Sequence, residues 1–195
     1  MNDRNLNQRR SLETRFRATR TEEENGEYCI EGYFAVFDSI YELWPGATES
    51  VARGAFTDSL GGDVRALVDH KTHLVLGRSK AGTLELTEDD KGLFGRIKIN
   101  ENDVDAMNLY HRVKRGDVDQ CSFGFDIEDE EILHGENGSV HWTLRKVLLL
   151  EVSVVTFPAY EETGVSARKR DFEDMQKRKA EAWRESMRKR LKEDK

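Results

Sequence analysis

The sequence predicts a mainly β protein of the α+β class: a small β-barrel, closed or partly open, with a few surrounding helices and a charged helix at its C-terminal end. Three observations lead there. Short runs of β-branched and aromatic residues alternate with polar ones through residues 28–157, with Gly, Asp and Asn between them. Only two internal stretches read as helix, a short one at 54–60 and a longer one at 103–115. Beyond residue 166 the alternation stops and Lys, Arg and Glu dominate. The chain therefore divides into a polar arm (1–26), a barrel domain (27–166) and a helical tail (167–195). Its 195 residues suffice for one domain with its own core plus such extensions.

Each element has its own signal. The arm is rich in Arg, Glu and Asn and reads as loosely ordered, with its last part able to pair as a first strand. Residues 28–37 form the first clear strand, and the glycine inside it, Gly32, predicts a bend or bulge. Trp44-Pro45-Gly46 marks a turn. A short strand at 49–53 and the short helix at 54–60 follow, the helix ending at Gly61-Gly62. Residues 64–68 make a brief strand that runs straight into Asp69-His70, and 74–77 resume after a polar loop. Residues 83–87 and 93–99 predict a hairpin around Glu-Asp-Asp-Lys-Gly. Asn102 or Asp103 caps the helix that reaches Arg115, and Gly116 stands where its C-terminal stop belongs. The remainder reads as a strand through Phe123 and Phe125, an acidic loop at 128–138, and strands at 140–147 and 148–157 closed by Pro158. In the tail, Trp183, Met187 and Leu191 give one narrow apolar stripe, the pattern of a solvated helix that packs only against a partner.

Charge and composition narrow the function. The formal net charge is −7; residues 166–195 hold 12 Lys or Arg against 7 Asp or Glu, a local net of +5 that leaves −12 on the rest. An acidic body argues against nucleic-acid binding, which needs concentrated cations. Cys29 and Cys121 make neither a disulfide framework nor a zinc spacing. No metalloprotease, calcium-loop or phosphate-loop pattern occurs, so no metal and no cofactor are expected. No apolar run is long enough to span a bilayer and no signal-peptide core precedes the arm, so the expected compartment is a reducing cytoplasm without membrane contact.

One hydroxyl, Ser122, stands inside the strand Asp-Val-Asp-Gln-Cys-Ser-Phe-Gly-Phe (117–125). It reads either as a small polar group bonded to a neighbouring carbonyl, the commoner fate of strand serines, or as a nucleophile needing a histidine base and an orienting group. Among His70, His73, His111, His134 and His141, His70 has the best context, at the end of a strand and the start of a loop. Its alternative is a surface turn histidine. Glu151 breaks the apolar run 148–155, so its carboxylate needs a partner: an arginine such as Arg78 or Arg96, or a histidine held in the right tautomer. Alternation puts Glu151 and Ser153 on one face of that strand, and Cys121 and Ser122 on opposite faces of theirs.

These residues fall among landmarks that occur in a fixed order: Gly-Tyr-Phe-Ala-Val-Phe-Asp (32–38), Arg-Gly-Ala-Phe (53–56), Asp69-His70, Leu-Gly-Arg (76–78), Gly92-Leu93, Ser-Phe-Gly-Phe (122–125) and Glu-Val-Ser-Val-Val-Thr-Phe-Pro-Ala-Tyr (151–160). The ordered set resembles the caudovirus prohead, or capsid maturation, proteases of the HK97 type over residues 32–168. The resemblance implies a serine endopeptidase related to the herpesvirus assemblin fold. Such an enzyme cleaves scaffold protein, or the scaffolding segment of the major capsid protein, and itself, inside the immature shell in the host cytoplasm. Capsid or scaffold protein is then the partner, and self-association is left open. Ser122 is implied as nucleophile, His70 as general base and Glu151 as orienting acid. His141 is the alternative third member, since herpesvirus relatives use a second histidine. Arg78 or backbone N–H groups are the oxyanion donors considered, and Cys121 leaves thiol chemistry open. The competing class is a non-catalytic scaffold or inner-core protein that keeps the barrel. The tail is read as an assembly or packaging element that the enzyme itself removes, against a merely solvated extension.

Overall fold

The computed structural model describes residues 8–12, 16–21, 26–135, 138–157 and 162–193. Among the described residues lie eleven strands and two α-helices: β1 (Gln8–Leu12), β2 (Arg17–Arg20), β3 (Tyr28–Val36), β4 (Tyr41–Trp44), β5 (Ala47–Val51), β6 (Arg65–Val68), β7 (Lys71–Arg78), β8 (Leu84–Glu88), β9 (Gly92–Lys98), α1 (Val104–Arg115), β10 (Gln120–His134), β11 (Val140–Val155) and α2 (Glu162–Glu193). Two compact units result, Met1–Tyr160 and Glu161–Lys195. The chain is mainly β within the α+β class.

The strands of the first unit make two sheets. A seven-stranded one runs β1-β10-β11-β5-β4, with β6 also on β11 and β7 on β6; a four-stranded antiparallel one runs β2-β3-β9-β8. The pairings found among the described residues do not close either sheet, so the expected closed or partly open barrel is not confirmed. The spine is the β10–β11 hairpin. Its strands pair antiparallel from Gln120↔Val155 to His134↔Val140, with register shifts at Gly124/Phe125 and twice between Ile127 and Glu130. Bulges of this kind bend and twist long strands. One edge of β11 takes β5 in parallel at its start (Val140–Leu144) and β6 in parallel near its end (Glu151–Val154).

The acidic stretch 128–138, expected as a loop, is strand as far as His134. Its charges are matched across the hairpin: Arg145 meets Asp129 at 3.1 Å and Lys146 meets Glu128 at 3.2 Å. The two strands expected at 140–147 and 148–157 are one continuous strand, β11. The short helix at 54–60 shrinks to a single 3-10 turn, Thr57–Ser59. The arm contributes two strands, β1 and β2. Gly32 makes no bulge of its own; the β3–β9 irregularity lies between Tyr33 and Ala35. Gly32 instead makes room for Phe16, whose Cδ1 would be 2.6 Å from any Cβ there.

Other elements follow their local chemistry. The β8–β9 hairpin pairs from Leu84↔Ile97 to Glu88↔Leu93. The Asp103 carboxylate accepts from the N–H groups of Asp105 (3.0 Å) and Ala106 (3.1 Å), capping α1, and Gly116 ends it with a φ of +87°. The helix buries Ala106, Leu109, Tyr110 and Val113. The core they join runs through Phe34, Phe56, Leu93, Ile97, Phe123, Phe125, Leu144 and Val152. It holds the hairpin that carries Ser122 and Glu151 rigidly in place.

Candidate active site

Three strands deliver the candidate residues to one sheet face. Ser122 on β10 lies directly opposite Ser153 on β11, and Gly124 lies opposite Glu151. Cross-strand partners share a face and stand roughly 5 Å apart at Cβ, so Ser122, Ser153 and Glu151 share one side. The absence of a side chain at Gly124 is what admits the Glu151 carboxylate, since a Cβ there would be 2.5 Å from Oε1.

His70 arrives from the third strand. β6 pairs in parallel with β11 up to Val68↔Val154, and the next two residues turn the chain back into β7. Asp69 and His70 both have positive φ, +47° and +59°. Positive φ at both central residues is the type I′ hairpin turn, which favours Asn and Gly and strains a residue such as His. Tertiary bonds hold it: Asp69 Oδ1 accepts from Thr156 N–H at 2.9 Å, and His70 N–H donates to Ser153 Oγ at 3.3 Å. The turn thereby puts the imidazole against Glu151. Its Nδ1 is 2.6 Å from Glu151 Oε1, and Ser153 Oγ donates to Glu151 Oε2 at 2.6 Å. A carboxylate on Nδ1 fixes the proton there in the neutral ring and leaves Nε2 as the acceptor. Nε2 is buried and has no hydrogen-bond partner among the described residues.

Ser122 is 0% exposed, and its hydroxyl donates to the carbonyl of Arg10 on β1 at 2.9 Å, not to His70. β1 pairs along β10 with Ser11 opposite Ser122. The strand therefore runs beside the serine along the edge of β10.

The remaining candidates are placed elsewhere. His141 stands on β11 twelve residues before Ser153. Its ring nitrogens meet Thr48 Oγ1 at 2.8 Å and Ser50 Oγ at 2.9 Å. Glu151, and not His141, meets His70. His73, His111 and His134 are exposed. Cys121 faces away from Ser122, its thiol 3.2 Å from the Tyr33 carbonyl. Arg78 is engaged by Asp63, whose carboxyl that guanidinium holds down at about 2. Arg96 lies 4.0 Å from Glu31, and it is Arg9 that comes within 3.9 Å of Glu151. Sequence reasoning set Ser153 on the face of Glu151 without giving it a task, and it gave β1 no part in the site. The Glu-Val-Ser spacing carried the first signal; nothing near Ser122 in sequence carries the second.

Known proteins resemble this chain in sequence and in fold. The prohead protease of Enterobacteria phage HK97 is 28% identical over 143 residues, which cover 71% of this chain and 61% of that protein. The chain thus spans under two thirds of the length of that relative. The bacteriophage T4 capsid assembly protease has a similar fold, with a TM-score of 0.52 at 10% identity over 77% of this chain and 97% of that one. The caudovirus prohead serine protease family matches residues 15–178, from before β2 into α2, and the chain belongs to that family.

Proposed function

We propose that this chain is a serine endopeptidase of capsid maturation, cutting scaffold protein or the scaffolding segment of the major capsid protein inside the immature shell. The observation that supports it most is the His70–Glu151–Ser153 network beside the strand partner of Ser153, Ser122, in a chain of this family. In the reaction, Ser122 Oγ attacks a peptide carbonyl while His70 Nε2 takes its proton. Glu151 holds the ring and stabilises the imidazolium that forms. His70 then protonates the leaving amine, and water hydrolyses the acyl-enzyme by the same proton route. For this the Ser122 hydroxyl must leave the Arg10 carbonyl and turn to Nε2.

A non-catalytic prohead protein has one observation on its side: Ser122 is fully buried and already bonded to a carbonyl, as a structural serine is. Co-expression with the capsid or scaffold partner separates the two, with products read by intact mass. Shortening of the partner by wild type but not by Ser122→Ala is the expected result, a loss of roughly a thousandfold or more. Shortening by both would indict another nucleophile. Assembled particles with no cutting by either would leave the structural role.

A further inference from the structure

The carbonyl that receives the Ser122 hydroxyl belongs to an extended strand lying antiparallel along β10, and the residue that owns it is Arg10. The Arg10 side chain is itself buried, at 7% exposure, and reaches a carboxylate on the other side of the hairpin. Its Nε and Nη2 meet the two oxygens of Glu49, the second at 2.8 Å, and its guanidinium carbon lies 5.5 Å from the centre of the Phe125 ring. Glu49 is 0% exposed, on β5 with Trp142 as its β11 neighbour in register. A carboxylate so buried is strongly disfavoured without a cation, and a bidentate guanidinium is the cation that fits it best. The same Arg10 residue therefore presents its carbonyl to the serine and its side chain to a buried carboxylate.

We infer that Glu49 is the specificity residue of the endopeptidase. It forms the floor of a subsite for an arginine or lysine whose carbonyl is attacked, and β1 fills that subsite as a built-in substrate with Arg10–Ser11 as the bond presented. The inference rests on the serine-endopeptidase reading above. Ser122 Oγ bonds to the Arg10 carbonyl carbon while its proton passes to His70 Nε2. The C–N bond to Ser11 breaks, and the amine leaves with that proton. Water then adds to the ester, freeing residues 1–10 with a terminal carboxylate and returning the proton to Ser122.

The test uses the full chain and four extended peptides identical except for Arg, Lys, Gln or Glu before the scissile bond, with the capsid or scaffold partner in parallel. Mass spectrometry is expected to show wild type beginning at Ser11 and Ser122→Ala keeping residues 1–10. The Arg and Lys peptides are expected to be cut on the order of a hundredfold faster than the Gln and Glu peptides, since losing one partner of a desolvated pair is costly. In Glu49→Gln the Arg-to-Gln ratio collapses toward one. If that variant does not fold, the wild-type ranking decides alone. Cutting of the partner with no preference for a basic residue overturns this inference and leaves the serine protease standing. Absence of cutting of partner and peptides alike overturns both. A Glu49→Gln enzyme that keeps the full preference removes Glu49 from the role.

Discussion

Ser153 shows how much of the site depends on a residue with no chemistry of its own. Its hydroxyl accepts from the His70 N–H and donates to Glu151, so one side chain ties the strained turn to the carboxylate that orients the ring. Ser153→Ala leaves a part-buried N–H and a carboxylate oxygen each short of a partner, at a cost of about 1–3 kcal/mol. The expected outcome is a lower melting temperature and a fall in kcat of roughly tenfold with KM little changed, measured on a cleavable peptide. The same residues show where the sequence is readable. Glu151 stands out because a carboxylate in an apolar strand demands a partner, and the period of two puts Ser153 beside it. The turn is not readable, since Asp-His carries neither Gly nor Asn to announce positive φ. Arg10 and Glu49 are 39 positions apart, and only the fold joins them.

Among the elements, local rules served best where the chain obeys them locally. The cap at Asp103 and the stop at Gly116 bound α1 as its sequence predicts, because both signals act on the backbone within one turn. Asp103→Ala removes two bonds to the first turn and costs about 1 kcal/mol; urea denaturation should show a lower midpoint with an unchanged slope. The hairpin of β10 and β11 was misread for the opposite reason. Glu128, Asp129, Glu130 and Glu131 look like a loop in isolation, while Arg145 and Lys146, which neutralise part of this charge, come from the facing strand. Sheet closure is non-local in the same sense: alternation tells which residues face a core, not which strands meet.

At the scale of the whole molecule the second unit stands apart in composition. α2 exposes Trp183 at 64% and Met187 as well, on a helix otherwise crowded with Lys, Arg and Glu. Its charge is opposite to that of the rest, so an acidic or amphipathic surface in the nascent shell is a suitable dock. We propose that it recruits the chain to that shell. Deleting residues 162–195 should abolish incorporation into particles, read by sedimentation and gel. Normal incorporation of the shortened chain would remove the idea.

β1 is also the outermost strand of its sheet. If β1 stands where a substrate lies, as inferred above, a substrate that takes its place must bring a free backbone, able to lie straight and offer its own N–H and C=O groups to β10. A chain already folded into helix or sheet has none to offer. On the proposed activity, a cutter with such an entrance would tell tether from wall by shape alone: loose segments inside a shell would be accessible to it, while the packed lattice around them would be spared.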